Sequence, residues 1–149
     1  SFFLMLLCQS YHQKKGAFIF ADCGLVVEPD SGQLADIAMQ SADSYEQLTG
    51  KDPAVAMLSF STGGSAAHER VSKVIQATNT VRARRPDLCV DGELQFDTAF
   101  VEAISHAKSP ESPLKGNANV FVFPNLEAAN IGSKIAQRIG GAQAIGHVL

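Results

Sequence analysis

Cysteine, charge and long apolar runs are all scarce in this sequence, and each shortage removes a class of protein. The three cysteines, Cys8, Cys23 and Cys89, stand far apart, with neither the CxxC spacing of a metal site nor the density of a disulfide scaffold. That usage fits a reducing cytoplasm. The four histidines, His12, His68, His106 and His147, show no mutual ligand spacing. Charged residues make up 18% of the 149, twelve basic against fifteen acidic, for a formal charge of -3 and a pI near 5.7. The basic excess that nucleic acid or an anionic membrane demands is missing. The longest apolar stretch, Phe2 to Cys8, is far shorter than the roughly 20 residues that cross a bilayer, and no basic segment precedes it. Repeats and low-complexity tracts are absent too. What is present is a 46% hydrophobic chain, enough for one substantial core and therefore one soluble domain. It opens on Ser1-Phe2-Phe3 rather than on Met, so it reads as a piece of a longer protein.

The apolar residues alternate between two patterns. Phe2 to Leu7, Ala17 to Ala21, Ala54 to Phe60, Leu88 to Val90, Asn119 to Phe123 and Ala144 to Leu149 are short runs flanked by breakers, and they predict strands. The polar stretch Gln9 to Gly16 joins the first two as a hairpin. Between the later runs, three-and-four spacing predicts helices: Leu34, Ile37, Ala38, Ala42, Tyr45 and Leu48, closed by Gly50; Val71, Val74, Ile75, Thr78 and Val81, ended by Pro86; Phe96, Phe100, Val101, Ile104 and Ala107; and Leu126, Ile131, Ile135 and Ile139, ended by Gly140-Gly141. Strand and helix in alternation give an α/β fold, a mainly parallel sheet with helices on both faces and one antiparallel member from the hairpin.

In such a sheet the binding loops leave the carboxyl ends of the strands. Three loops qualify. Ser61-Thr62-Gly63-Gly64-Ser65 offers small hydroxyls and backbone amides suited to an oxyanion, although on spacing alone a turn whose Ser or Thr caps the next helix is the commoner explanation. Asp91-Gly92-Glu93-Leu94-Gln95-Phe96-Asp97 puts three carboxylates within seven residues, a set for proton exchange or a metal, or else an N-cap at Asp97 and a turn tied down by Asp91. Pro124 to Asn130 opens the last helix, with Asn130 the polar residue least at home there. Arg138 late in that helix suits the dipole, and Arg82, Arg84 and Arg85 read as a solvated helix end. The cysteines read as core thiols.

Three stretches together carry a resemblance: Val55 to Ser65 (Val-Ala-Met-Leu-Ser-Phe-Ser-Thr-Gly-Gly-Ser), Pro86 to Asp97 (Pro-Asp-Leu-Cys-Val-Asp-Gly-Glu-Leu-Gln-Phe-Asp) and Lys108 to Leu126. In these the chain resembles phosphate acetyltransferases (phosphotransacetylases) over essentially its whole length. The resemblance implies a fold like that of isocitrate and isopropylmalate dehydrogenases, two α/β domains flanking a cleft, with residues 1–149 as the second, middle domain. The first domain and the C-terminal segment that returns to it are not in this sequence. It implies interconversion of acetyl-CoA plus phosphate with acetyl phosphate plus CoA, no metal or prosthetic group, and CoA, acetyl phosphate and inorganic phosphate as partners. The helices carry enough apolar surface for a two-fold contact, so a homodimer is expected.

The family's Asp-Leu-Ser-Arg-Gly motif, whose Ser and Arg act on the tetrahedral intermediate and on phosphate, is not among these residues, so no catalytic residue is expected here and the chain alone is expected to be inactive. Carried over residue by residue, Arg138 falls at the CoA side of the cleft, and Ser61, Thr62, Gly63, Ser65 and Asn130 face that cleft for substrate and CoA. His147 stands where many members have proline, and Ala128-Ala129 departs at a variable spot. A rival reading is a regulatory, acetyl-CoA-sensing domain like the one fused to some malic enzymes.

Overall fold

The apolar runs form the inner strands of one sheet because they supply β-branched or aromatic residues that can be covered on both faces, while the edge strand Gln143–Val148 stays largely exposed. The computed structural model describes residues 1–149. Its strands are β1 (Phe2–Leu7), β2 (Gly16–Ala21), β3 (Ala54–Leu58), β4 (Cys89–Leu94), β5 (Val120–Val122) and β6 (Gln143–Val148), in spatial order β4-β3-β5-β2-β1-β6. β2, β5, β3 and β4 run parallel, with Val55 beside Val120 and Val120 beside Ile19. β1 is antiparallel to both its neighbours, β2 and β6, which makes it the single antiparallel member that the hairpin predicted.

The helices are α1 (Ser31–Thr49), α2 (Glu69–Arg84), α3 (Phe96–Phe100), α4 (Glu102–Lys108) and α5 (Leu126–Arg138). α1 starts at Asp30, whose carboxylate accepts from the Gln33 amide at 2.8 Å while Gln33 Oε1 accepts from the Asp30 amide, a reciprocal cap. It ends at Gly50, where φ of 70° is left-handed and glycine carries no steric penalty. α1 and α2 cover one face through Leu34, Ala38, Tyr45, Val74 and Val81; α3 and α5 cover the other through Ala99 and Ala129, against a run of phenylalanines.

Four expectations need correction. β4 does not stop at Val90 but continues to Leu94, so Asp91 and Glu93 lie in a strand rather than in the loop after it. The helix expected over 96–107 breaks at Val101, whose φ of −112° and ψ of 118° are extended. In α5 the isoleucines do not face the sheet: Ile131, Ile135 and Ile139 are exposed, and Ala129 and Ser133 are buried. Small residues belong there because the helix lies close to aromatic rings; a Cβ added at Gly132 would sit 3.1 Å from the Phe123 ring. Of the cysteines, Cys23 alone is fully buried and Cys8 is exposed. No helix is long and apolar enough to cross a membrane.

Candidate functional site

The carboxyl ends of β2, β5, β3 and β4 share one edge, from which the turn Ser61–Ser65 emerges after β3. That turn is closed on itself. The Ser61 amide donates to Ser59 Oγ (3.3 Å), Thr62 to Ser65 Oγ (3.0 Å), Gly63 to the Glu93 carbonyl (3.4 Å) and Gly64 to Glu93 Oε1 (3.1 Å). Ser65 donates to the Thr62 carbonyl (3.1 Å) and Ala66 to Ser61 Oγ (3.0 Å). Every amide from 61 to 66 is spent inside the protein, so the turn is not an open anion cradle. Ser61 and Thr62 are buried, and the Thr62 hydroxyl donates to Gln95 Oε1 at 3.0 Å. Only Gly63, Gly64 and Ser65 are exposed. Neither Ser nor Thr of this turn caps α2; His68 does, its Nδ1 accepting from the Arg70 amide at 3.1 Å.

The three acids that the sequence groups together go three ways. Asp91 pairs with Arg82 at 2.7 Å, Glu93 lies buried beneath the turn with Oε2 unpartnered, and Asp97 accepts from the Thr98 amide at 2.8 Å within α3, whose N-cap is Gln95. They form no pair for proton exchange. Arg84 and Arg85 meet Asp36, Asp43 and Asp87 on the surface, where solvent screens the charges and the contacts contribute little to stability.

Asn130 is half-buried in the first half of α5, with no side-chain hydrogen bond to the protein. Arg138 is exposed at the far end of the same helix. α5 starts at the carboxyl edge, where the Leu126 amide donates to the Val27 carbonyl at 3.0 Å. It finishes beside the β1–β2 turn, where His12 Nε2 meets the Gly140 carbonyl at 2.6 Å. Thirteen residues at about 1.5 Å each make this helix about 20 Å long. Arg138 and the Ser61–Ser65 turn therefore lie at opposite edges of the sheet and share no contact, contrary to the expectation that they face one wall together.

The crevice that the carboxyl edge does form lies between β3 and β5. The chain leaves β3 through α2 toward β4 on one side, and leaves β5 through α5 toward β6 on the other, on opposite faces of the sheet. Such divergence opens a cleft between adjacent strands. Here it holds about 130 Å3, lined by Glu28, Ser59, Phe60, Arg70, Lys73, Pro124 and Asn125. Lys73 Nζ spans it, donating to Glu28 Oε1 (3.2 Å) and to the carbonyls of Pro29 (2.9 Å) and Pro124 (2.8 Å). Sequence reasoning missed Arg70 and Lys73; the signal was their place in the first two turns of the helix that follows the glycine turn.

β2 delivers a buried carboxylate to this edge. Asp22 accepts from the amides of Gly24 (3.1 Å), Leu25 (3.3 Å) and Val26 (2.9 Å). Burial alone pushes its carboxyl up, but the hydrogen bonds from the Val26, Gly24 and Leu25 amides pull it down and hold it below the ordinary 3.8. A carboxyl that titrates lower in the folded than in the unfolded chain stabilises fully above the unfolded value and loses that contribution as pH falls through the folded one. Asp22→Asn is expected to cost about 1–3 kcal/mol at neutral pH and to flatten the loss of stability below pH about 4; urea melts at a series of pH values check both.

A family model described as phosphate acetyl/butaryl transferase matches residues 1–149. The chain is 53% identical over 149 residues to a phosphate acetyltransferase of Paracoccus denitrificans, covering all of this chain and 47% of that protein. It is 50% identical over 132 residues to one of Bacillus subtilis (strain 168), covering 89% and 41%. Among solved structures, the EutD phosphotransacetylase of Staphylococcus aureus superposes with a TM-score of 0.90 at 45% identity, over 99% of this chain and 44% of that one. The chain thus spans about half the length of the relatives it matches. With the model matched from end to end and the same α/β sheet in a solved relative, this chain belongs to the phosphate acetyl/butaryl transferase family.

Proposed function

We propose that the complete protein is a phosphate acetyltransferase, in which the CoA thiolate attacks the carbonyl of acetyl phosphate to give acetyl-CoA and phosphate, and the reverse. The observation that carries this reading is 53% identity along the whole chain to a relative named for that activity. As the S–C bond forms and the C–O bond to phosphate breaks, the carbonyl oxygen becomes an oxyanion, and each donor aimed at it typically contributes about 2.7–4 kcal/mol. This chain contributes two side-chain donors, the exposed Ser65 hydroxyl and the free amide of Asn130; Gly63 and Gly64, whose amides are bonded within the protein, shape the rim around them, held from beneath by Ser61, Thr62 and Glu93. Arg138, an α5 length away, takes the phosphates of CoA, which lie at the opposite end of that elongated molecule from its thiol. The planar guanidinium suits them. A reducing cytoplasm is the proposed location, in keeping with three unpaired cysteines. A homodimer is proposed through the outward stripe Ile131, Ile135 and Ile139, which light scattering of the complete protein checks.

An acetyl-CoA-forming assay tests the reading. The complete protein is expected to turn over and the 149 residues alone to show no measurable rate. Arg138→Ala in the complete protein is expected to raise KM for CoA about tenfold or more, the loss of one charge-assisted contact, and to leave KM for acetyl phosphate in place. Wild-type turnover by the 149 residues alone, or an unmoved KM for CoA, would overturn these assignments. CoA binding by a complete protein that never turns over would favour the sensing domain instead.

A further inference from the structure

We propose that the crevice between β3 and β5 binds a tetrahedral phosphoryl group, with Arg70 as its charged anchor and Ser59 and Asn125 as neutral donors. Nothing in the comparison with relatives points to Arg70; its surroundings do. At the far end of α2 and just beyond it, Arg82, Arg84 and Arg85 each meet an aspartate. Arg70, in the first turn, has neither an ion pair nor a side-chain hydrogen bond, although it lines the crevice.

The neighbouring groups are biased the same way. Asn125 Oδ1 is occupied by the Ala128 amide at 2.9 Å, which leaves its NH2 group without a protein acceptor. Ser59 Oγ accepts from the Ser61 amide, and its hydroxyl hydrogen is donated to no protein atom. Lys73 fixes the walls by its bonds to Glu28, Pro29 and Pro124 and, in the same step, engages the one carboxylate nearby. Among the lining side chains, the Glu28 carboxylate is tied through Oε1 to Lys73, while the Arg70 guanidinium, the Asn125 NH2 group and the Ser59 hydroxyl hydrogen are left as free donors. That combination selects an anion, and the forked guanidinium selects a planar or tetrahedral oxyanion that can take two parallel hydrogen bonds.

Size narrows the choice. Sites for whole small molecules run to about 300–1,000 Å3, whereas this crevice holds about 130 Å3. It admits one phosphoryl group and is too small to enclose a whole nucleotide. The place is also the one where open α/β sheets put ligands, outside the carboxyl ends of strands whose connections diverge. The inference rests on the acetyltransferase reading only for the source of the group, which is either phosphate and its acyl ester or a phosphate of CoA.

Titration of inorganic phosphate into the 15N-labelled chain tests it. Shifts are expected in the amides of Ser59, Phe60 and Arg70 and in the Asn125 side-chain NH2. Arg70→Ala is expected to weaken phosphate about tenfold, Arg70→Lys to weaken it less, and Lys51→Ala, exposed before β3 at the opposite edge of the sheet, to change nothing. Because Arg70 is exposed, unchanged spectra elsewhere will show that the variants fold. Added CoA that displaces phosphate assigns the site to CoA; acetyl phosphate that displaces it while CoA does not assigns it to the small substrate. Either result supports a phosphoryl site. Shifts confined to other residues, or an Arg70→Ala affinity equal to wild type, would overturn it. Neither outcome bears on whether the complete protein turns over, so the two readings fail separately.

Discussion

Replacing Phe121 with alanine is expected to cost about 3–5 kcal/mol, the range for a large buried aromatic, against a total stability of about 5–15 kcal/mol for a domain. Phe121 is fully buried in β5, between β3 and β2. Its ring lies 5.1 Å from Phe96, 5.6 Å from Phe20, 6.0 Å from Phe100 and 6.2 Å from Phe18, centroid to centroid. Deleting it opens a void from which none of four partners can withdraw, since Phe18 and Phe20 are held in β2 and Phe96 and Phe100 in α3. Urea denaturation should show a lower midpoint with an unchanged slope. Phe96→Ala should cost less, because Phe96 is 39% exposed. The double variant should fall short of additivity, because the two rings touch. A loss under 1 kcal/mol for Phe121→Ala would mean that the phenylalanine cluster is not the keystone of that face.

The strands were legible in this sequence for a simple reason: buried parallel strands are short, continuously apolar and bounded by breakers, and β2, β3 and β5 fit that description. β4 did not, because Asp91 and Glu93 interrupt its apolar run. Each finds a partner that only the folded chain supplies, Arg82 for Asp91 and the Gly64 amide for Glu93. The inward face of α5 was misread on the same principle in reverse. Periodicity singles out its bulkiest apolar residues, yet a helix lying close to the sheet needs its smallest ones inside, here Ala129, Gly132 and Ser133. The isoleucines are spaced like a core stripe because they too are a coherent apolar face.

The candidate site was half legible. Pattern and resemblance led to the carboxyl edge, the glycine turn and Arg138. What they could not give was the direction in which each donor points. Hydroxyls and amides in Ser61–Ser65 satisfy one another, a matter of three-dimensional closure, whereas the unremarkable Arg70 in a charged helix start is left with nothing to bind. The relation of Arg138 to the turn was equally hidden, since sequence distance does not say at which edge of a sheet a helix ends.

Gly116→Ala is the second substitution expected to be severe, and its cause explains the break between α3 and α4. Gly116 is buried with φ of 75°, a region that costs an L-residue about 1–2 kcal/mol. An added Cβ would meet Glu102 Cα and N at 2.7 Å and Val101 C at 2.8 Å, all of them backbone atoms with no rotamer to yield. Overpacking of that kind typically adds about 1–3 kcal/mol. The passing chain thus packs directly on the main chain at 101–102, where an uninterrupted helix was expected from the spacing of Phe96 to Ala107. Lys14 closes the seam from the hairpin side: its ammonium donates to the Phe100 carbonyl and, at 2.7 Å, to that of Gly116, over the face of the Phe100 ring. The carbonyl freed by the break is therefore satisfied rather than orphaned. Together the strain and the clash amount to about 2–5 kcal/mol. At about 2–4 °C per kcal/mol for a chain of this size, the melting midpoint should fall by at least about 4 °C, while Asn117→Ala at the exposed neighbour should leave it nearly in place. Equal midpoints for the two variants would mean that Gly116 does not ride on the 101–102 backbone and that the helix breaks for another reason.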